Sequence, residues 1–216
     1  MAAKKAVILL SGGLDSTTTL YYAKAKGYDC FCLLFDYGQR HKKELKAAAK
    51  LAKLNKCEYT TVKILLPWSK SALTDTTVKI PANTRNIGKK IPATYVPARN
   101  TIFLSFAASY AESIGARKIF IGANALDYSG YPDCRPDYIK AYEKAVNLGT
   151  KSGVSGKKLK IETPLIKLTK AKIIRLGKKL GVPYHFTWSC YQGGKTPCGI
   201  CESCLLRKKG FEDICR

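Results

Sequence analysis

The sequence predicts an α/β protein built on a doubly wound, parallel, five-stranded sheet, and three observations carry that expectation. Short apolar runs alternate with segments of helical periodicity along most of the 216 residues. The runs are unbroken, as in strands buried on both faces. The connections between them are too long for hairpins, which leaves right-handed βαβ crossovers.

The first strand is the run Ala6-Val7-Ile8-Leu9-Leu10, closed by Gly12 and Gly13. Leu14 to Lys26 then carries Leu14, Leu20, Tyr21 and Ala25 at near-helical spacing and stops at Gly27, a helix C-cap. Tyr28 to Phe35 is the second strand, with Cys30 and Cys32 on one face by period two and expected in the core. A loop, Asp36 to His41, leads to a helix from Lys43 to Leu54, and Cys57 to Ile64 alternates as a third strand. From Leu65 to Pro97 no period holds. Four prolines and Gly88 punctuate a segment of more than 30 residues, too long for an ordinary connection and read as a substrate lid or insertion over 65–97. Arg99 to Gly115 is an apolar helix and Arg117 to Ile121 a short strand, followed by a polar loop from Gly122 to Cys134. Pro136 opens a helix to about Leu148, Lys158 to Glu162 is the fifth strand, and Thr169 caps a helix to Leu180. A cysteine-rich segment follows. The chain thus divides into a nucleotide-binding domain over 1–183 and a C-terminal zinc-binding segment over 184–216. Loops at Ser11, Asp36, Gly122 and Thr163 all follow strands, so they should converge on one crevice.

Composition narrows the class. Apolar residues make up 46% and charged residues 25%, ordinary for a globular domain, and no apolar segment reaches 18 residues, so no membrane span is expected. Met1-Ala2-Ala3-Lys4-Lys5 runs straight into the first strand, leaving no space for a secretory h-region and pointing to a cytoplasmic protein. Nine cysteines there argue for metal or catalysis over disulfides. The net charge of +23 raises nucleic acid as a partner. The excess is mostly lysine spread over expected helix faces, which reads as solvated surface and makes nucleic-acid binding unlikely.

The chemistry starts at Leu9-Leu10-Ser11-Gly12-Gly13-Leu14-Asp15-Ser16-Thr17-Thr18-Thr19, a strand-loop-helix corner. Such a corner aims backbone N–H groups and the positive end of a helix dipole at a phosphate. It lacks the lysine of G-x-x-x-x-G-K-[ST] and the G-x-G-x-x-G fingerprint. A tight turn with polar caps is the plainer alternative. Near the C-terminus Cys190, Cys198, Cys201 and Cys204 have the spacing C-x7-C-x2-C-x2-C. Four thiolates satisfy tetrahedral Zn²⁺ with no open position, the pattern of one structural ion per chain. An iron–sulfur cluster or reduced core cysteines are the alternatives. The loop GANALDYSGYPDCRP groups Asp127, Tyr128, Tyr131, Asp133 and Arg135, suited to stacking and hydrogen-bonding a flat heterocycle, although Asp133 could instead cap the helix at Pro136. Arg99 and Arg135 are candidates for gripping a carboxylate or phosphate, or for structural ion pairs. His41 lies in a loop facing the crevice or in packing, as does His185.

The loop SGGLDS resembles the phosphate loop of the N-type ATP pyrophosphatases, which adenylate an oxygen and release pyrophosphate. Together with DYGQRHKKEL, YVPARNTIFLS, GANALDYSGYPDCRPDYI, ETPLIKLTKAKII and SCYQGGKTPCGICESCLLRKKGFED, it resembles the 7-cyano-7-deazaguanine synthases, the QueC family of queuosine biosynthesis. The stretch Leu65 to Ile91 is the least family-like. The resemblance implies an adenine nucleotide alpha hydrolase-like fold and a carbon–nitrogen ligase. It would convert 7-carboxy-7-deazaguanine, ammonia and ATP to the nitrile through an adenylated acid and an adenylated amide, in a homodimer. In those terms Ser11, Gly12, Gly13 and Ser16 hold phosphates, Asp15 sits near Mg²⁺, and Asp15, Arg99 and Asp133 are the catalytic candidates. A tRNA-modifying ATP pyrophosphatase of thiolase or lysidine-synthase type is the main alternative. A non-enzymatic zinc-ribbon nucleic-acid binder would leave SGGLDST unexplained.

Overall fold

The computed structural model describes residues 4–83, 91–124 and 130–215. Five strands, β1 (Lys4–Leu9), β2 (Tyr28–Asp36), β3 (Tyr59–Lys63), β4 (Lys118–Ile121) and β5 (Lys160–Glu162), form one sheet in the order β3-β2-β1-β4-β5. Every pairing is parallel, with Leu9 opposite both Leu33 and Ile121. The strands alternate with α1 (Leu14–Ala25), α2 (Lys43–Leu54), α3 (Arg99–Ile114), α4 (Pro136–Gly149), the single turn α5 (Lys151–Val154), α6 (Lys170–Lys179) and α7 (Glu202–Glu212). The expected doubly wound architecture is therefore present.

β1 is apolar on both sides because both sides are covered. Ala6, Ile8 and Leu10 pack with Leu20 and Ala23 of α1 and Ala48 and Ala52 of α2. Val7 and Leu9 pack with Leu104, Ala107 and Ala111 of α3 and Ile139 of α4. Cys30 and Cys32 lie in the first of these cores, as their period implied. The strand order reverses between β1 and β4, and that switch point fixes where a ligand crevice opens.

α7 was not expected from the residue pattern, which reads only as a cysteine-rich segment. Phe211 of α7 and Ile214 just beyond it pack against a third core built from Leu14, Leu165, Ile173, Ile174, Val182 and Tyr184. Gly210 makes this approach possible: a Cβ there would meet Lys170 Cγ at 2.5 Å and Ile174 Cδ1 at 2.9 Å. Among the described residues no helix is long and apolar enough to cross a membrane.

Gly177, inside α6, has an equally strict neighbour. An added Cβ would overlap the Tyr184 hydroxyl and lie 2.6 Å from its Cζ. That hydroxyl cannot swing aside without loss, because it bonds Thr18 Oγ1 at 2.9 Å and donates to the Ile173 carbonyl at 3.2 Å. In an exposed helix Gly→Ala would stabilise by up to about 1 kcal/mol. Gly177→Ala should instead destabilise by about 1 to 3 kcal/mol through overpacking, read as a lower denaturant midpoint with unchanged slope.

Candidate functional site

The crevice opens at the carboxyl ends of β1, β2 and β4, in a cavity of about 240 Å³ whose wall includes Ser11, Asp15, Glu44, Arg99, Tyr131 and Lys170. Its floor is the loop after β1. Gly12 adopts φ +79°, a left-handed conformation that glycine enters without strain. Gly13 caps α1 in extended geometry, and no side chain caps the helix, so its first-turn N–H groups are left for a ligand. Ser11 and Ser16 bond each other through their hydroxyls at 3.0 Å, and Ser16 Oγ accepts from the Ser11 amide at 3.2 Å. Leu9, Leu10, Ser11, Gly13, Leu14, Asp15 and Ser16 all line the cavity.

The three threonines do something else. Thr17, Thr18 and Thr19 donate to the carbonyls of Gly13, Leu14 and Asp15 at 2.7, 2.8 and 3.0 Å, each one turn back in α1. Their hydroxyls satisfy the helix interior and the first and third core layers, and all three are fully buried.

Asp15 has a partner that the sequence reading missed. Lys170 Nζ donates to Asp15 Oδ1 at 2.9 Å and to Oδ2 at 2.8 Å, and Lys170 is itself 7% exposed. Lys170 is the first residue of α6, after the Thr169 cap. A cation at a helix N-terminus opposes the dipole, and that misfit was the signal that could have found it.

Arg99 stands in the same position on α3 and lines the cavity. It follows Ala98, which is held at φ +52°. Its guanidinium lies 5.7 Å from the Tyr37 ring centre and 5.9 Å from that of Phe103, donating to the Tyr37 hydroxyl at 3.4 Å. Phe103 stacks on Phe35 at 3.9 Å, so the aromatic bed is rigid. Among the described residues no carboxylate forms an ion pair with Arg99.

Asp133 is not brought into the cavity wall. It caps a helix, but α3 and not the helix at Pro136: its Oδ2 accepts from the Asn100 amide at 3.0 Å. Its buried Oδ1 has no hydrogen-bond partner among the described residues. Arg135 is exposed at the start of α4. Asp127 and Tyr128 lie outside the described residues. Tyr131 lines the cavity and bonds Thr94 Oγ1 at 2.7 Å. Cys134 also lines it, but burial, with Asp133 beside it, pushes its thiol up to about 12, which keeps it protonated and a poor nucleophile.

Three further residues of the wall, Gln39, Glu44 and Arg207, carried no weight in the sequence reading. Gln39 is clamped: its Oε1 accepts from the Tyr37 amide at 2.8 Å, and its Nε2 donates to the Phe35 carbonyl at 3.0 Å and to Glu44 Oε1 at 3.2 Å. Burial pushes the Glu44 carboxyl up to about 7 against the pull of Arg99 and Gln39. Arg207, on α7, donates to Thr187 Oγ1 at 2.7 Å and to the Tyr184 carbonyl at 2.8 Å. His41, from the same loop as Gln39, is buried in the wall, and its Nδ1 has no partner among the described residues. His185 stacks beside Phe186 with ring centres 4.0 Å apart.

Behind the wall residues Ser189, Tyr191 and Ser203, the sulfurs of Cys190, Cys198, Cys201 and Cys204 all lie within 4.8 Å of one another, so they could hold a metal ion. The Cys198 amide donates to Cys190 Sγ and the Cys201 amide to Cys198 Sγ, each at 3.3 Å, an arrangement that favours thiolate.

A doubly wound parallel sheet with a glycine-rich loop and an uncapped helix N-terminus at its switch point is the layout of an α/β protein that binds a phosphate-bearing ligand. The comparisons place it further. The family described as queuosine biosynthesis protein QueC matches residues 5–215. The 7-cyano-7-deazaguanine synthase of Thermoplasma acidophilum is 58% identical over 213 residues, 98% of this chain and 89% of that one. That of Cellvibrio japonicus is 57% identical over 216 residues, 98% of this chain and 95% of that one. The chain belongs to the QueC family and is an enzyme of this synthase type. Among solved structures, NMN synthetase from Francisella tularensis superposes with a TM-score of 0.52 at 17% identity, covering 98% of this chain and 85% of that one. A 4-thiouridine synthetase–RNA complex with bound ATP gives 0.51 at 19%, covering 98% of this chain and 50% of that one. At those identities the likeness is one of fold.

The raised Glu44 carboxyl has a consequence for stability. Between the usual glutamate value, 4.5, and about 7 the folded chain keeps a proton that the unfolded chain has released. That contribution is fully present below the lower value and is lost as pH rises through the upper one, at up to about 1.4 kcal/mol per pH unit. Glu44→Gln should flatten this slope, which chemical denaturation of both proteins at a series of pH values measures.

Proposed function

We propose that the chain is an ATP-dependent ligase that converts 7-carboxy-7-deazaguanine and ammonia to 7-cyano-7-deazaguanine, in queuosine or archaeosine biosynthesis. The observation that carries this reading is the meeting of an uncapped, glycine-rich loop with two helix-terminal cations, Lys170 and Arg99, in one cavity. Family membership supplies the substrate class, since the relatives carry the name of that synthase.

A carboxylate is a poor electrophile. Attack of its oxygen on the α-phosphorus of ATP makes a mixed anhydride and frees pyrophosphate, which the amides of the loop and the hydroxyls of Ser11 and Ser16 would receive. Ammonia then displaces AMP to give the amide. A second adenylation, at the amide oxygen, lets AMP leave again with formation of the nitrile. Charge builds on phosphate throughout, so fixed donors and positioning account for most of the rate. Lys170 would move from Asp15 toward phosphate, freeing that carboxylate. Asp15 would then hold Mg²⁺, which shields the polyphosphate charge when bound with ATP. Arg99, which forms an ion pair with no carboxylate among the described residues, would take the substrate carboxylate or the α-phosphate. Asp133 would act by fixing the start of α3, and so the place of Arg99. The lid over 65–97 and the division into 1–183 and 184–216 belong to this proposal, as do a homodimer and a cytoplasmic location.

The four cysteines suit Zn²⁺. Zinc–sulfur bonds of about 2.3 Å in a tetrahedron set sulfurs about 3.8 Å apart, compatible with the cluster seen. The ion would be structural, because four thiolates leave no open position. Cys201→Ser should lose the metal and destabilise the tail or the whole fold. Elemental analysis of pure protein checks this, and stoichiometry near zero with the fold intact would sink it.

The bond broken in ATP tests the rest. Two AMP and two pyrophosphate should form per nitrile without RNA, and the amide supplied alone should give nitrile with one AMP. ADP and phosphate as main products would overturn the reading, as would dependence on RNA, which favours the tRNA-modifying alternative.

A further inference from the structure

On its way to nitrile the amide nitrogen must lose both of its protons, and nothing assigned so far accepts them. We propose that Glu44 is the general base of that step, held in line by Gln39. The assignment rests on the two-adenylation reading given above.

The position follows from the fold. Glu44 is in the first turn of α2, and Gly12 lets that turn lie directly on the phosphate loop: a Cβ on Gly12 would meet the Ala48 amide at 2.6 Å and collide with the Glu44 carbonyl. The Glu44 side chain therefore enters the cavity beside the loop where AMP must form. One of its oxygens is fixed by Gln39 Nε2, and Gln39 is fixed by the Phe35 carbonyl at the end of β2 and the Tyr37 amide just after it. The other oxygen, Oε2, bonds no described residue.

The other acceptors of the wall suit the task less well. Asp15 is bound through both oxygens by Lys170 and, in the reading above, would be taken by Mg²⁺ once ATP is bound. His41 is held below its usual range by burial and by Lys43, which makes it the weaker base. The charged and titratable groups facing Glu44 are Arg99 from α3 and Tyr37 from the loop after β2, with His41 and the Asp15–Lys170 pair across the same cavity. Burial outweighs Arg99 and leaves the carboxyl near neutrality, where a base is both ionised and strong enough to act.

The step balances as follows. The amide oxygen attacks the α-phosphorus and pyrophosphate leaves, so the nitrogen carries two hydrogens and a positive charge. Glu44 takes the first proton, giving an imidate, and passes it to water. It then takes the second as the carbon–oxygen bond breaks. The N–H electron pair becomes the third carbon–nitrogen bond, and AMP departs with the carbon–oxygen pair. The sum is amide plus ATP to nitrile, AMP, pyrophosphate and two protons.

Full-length wild type, Glu44→Gln and Glu44→Asp, each given the amide and ATP, distinguish this role from others. Two rates are read: exchange of labelled pyrophosphate into ATP, which reports adenylation, and formation of nitrile. In Glu44→Gln exchange should stay within a few fold of wild type, while nitrile falls by about 10²- to 10⁴-fold and loses the rise with pH through neutrality. Glu44→Asp should recover part of the nitrile rate. Unchanged nitrile formation in Glu44→Gln would overturn the assignment, as would parallel loss of both rates or a raised KM with kcat intact, either of which would mean a part in binding or structure. If wild type itself exchanges pyrophosphate with neither acid nor amide, the reading of the reaction falls and this assignment with it. If wild type turns both over and the variant does likewise, only the role of Glu44 falls.

Discussion

Three segments of the chain meet at the one atom that Gly12 lacks. Its left-handed φ turns the loop after β1 toward α2, and the absent Cβ is the space that the backbone of Glu44 and Ala48 occupies. Its carbonyl, on the other side, accepts from the Trp188 amide at 2.9 Å, so the segment leading to the cysteines is hung on the same residue. Any side chain here would push α2 outward and take Gln39, His41 and Glu44 with it. The close packing is thus a condition of the crevice as much as of the core.

The electrostatics of the crevice run against what isolated helices prefer. α1, α3 and α6 all direct their N-termini to it, and the last two begin with a cation, Arg99 and Lys170. Each such placement costs about 0.3 to 1 kcal/mol against the dipole. Burying Lys170 is tolerable because Asp15 meets it with two hydrogen bonds, since a buried charge without a partner would cost several kcal/mol. Asp15, at the start of α1, offsets the charge of Lys170 within the cavity. A polyphosphate would compete with Asp15 for Lys170. The resting ion pair therefore keeps the cation ordered while leaving it available.

Much of this was legible in the sequence because strand and helix periods are local. All five strands, the major helices through α6 and the glycine-rich turn between β1 and α1 came from patterns of a few residues. What was not legible depends on distant partners. Lys170 reads as one lysine among many until α6 is seen against α1. α7 carries little amphipathic pattern, since its contacts are Gly210 against Lys170 and Phe211 against Tyr184. Asp133 reads first as a ligand-binding acid, with capping of the helix at Pro136 as the alternative; its observed partner is the Asn100 amide in the first turn of α3, 33 residues earlier, a relation that no window on the sequence contains. Thr17 to Thr19 suggested ligand contact by composition, whereas a hydroxyl inside a helix most readily bonds the carbonyl one turn back.

The segment after β3 follows from the same logic of backbone partners. Its described residues form no helix or strand, yet buried Ala72, Leu73, Ile80 and Val96 cannot leave their amides and carbonyls unpaired. Those partners come from elsewhere. The Ala72 amide donates to the Ala93 carbonyl, the Arg40 amide to the Leu73 carbonyl, and the Arg40 guanidinium to the carbonyls of Asp75 and Val78. At its far end Ala82 bridges to Cys201, and the Asn83 amide donates to the Ile200 carbonyl. Ala72 and Ile80 pack in one cluster with Cys190, Cys201 and Cys204. One side of this segment thus rests on the cysteine cluster, while Leu73 on the other side is part of the crevice wall. A metal that fixes the four sulfurs would fix the backing of that wall, which gives the cysteine cluster a direct hold on the shape of the crevice.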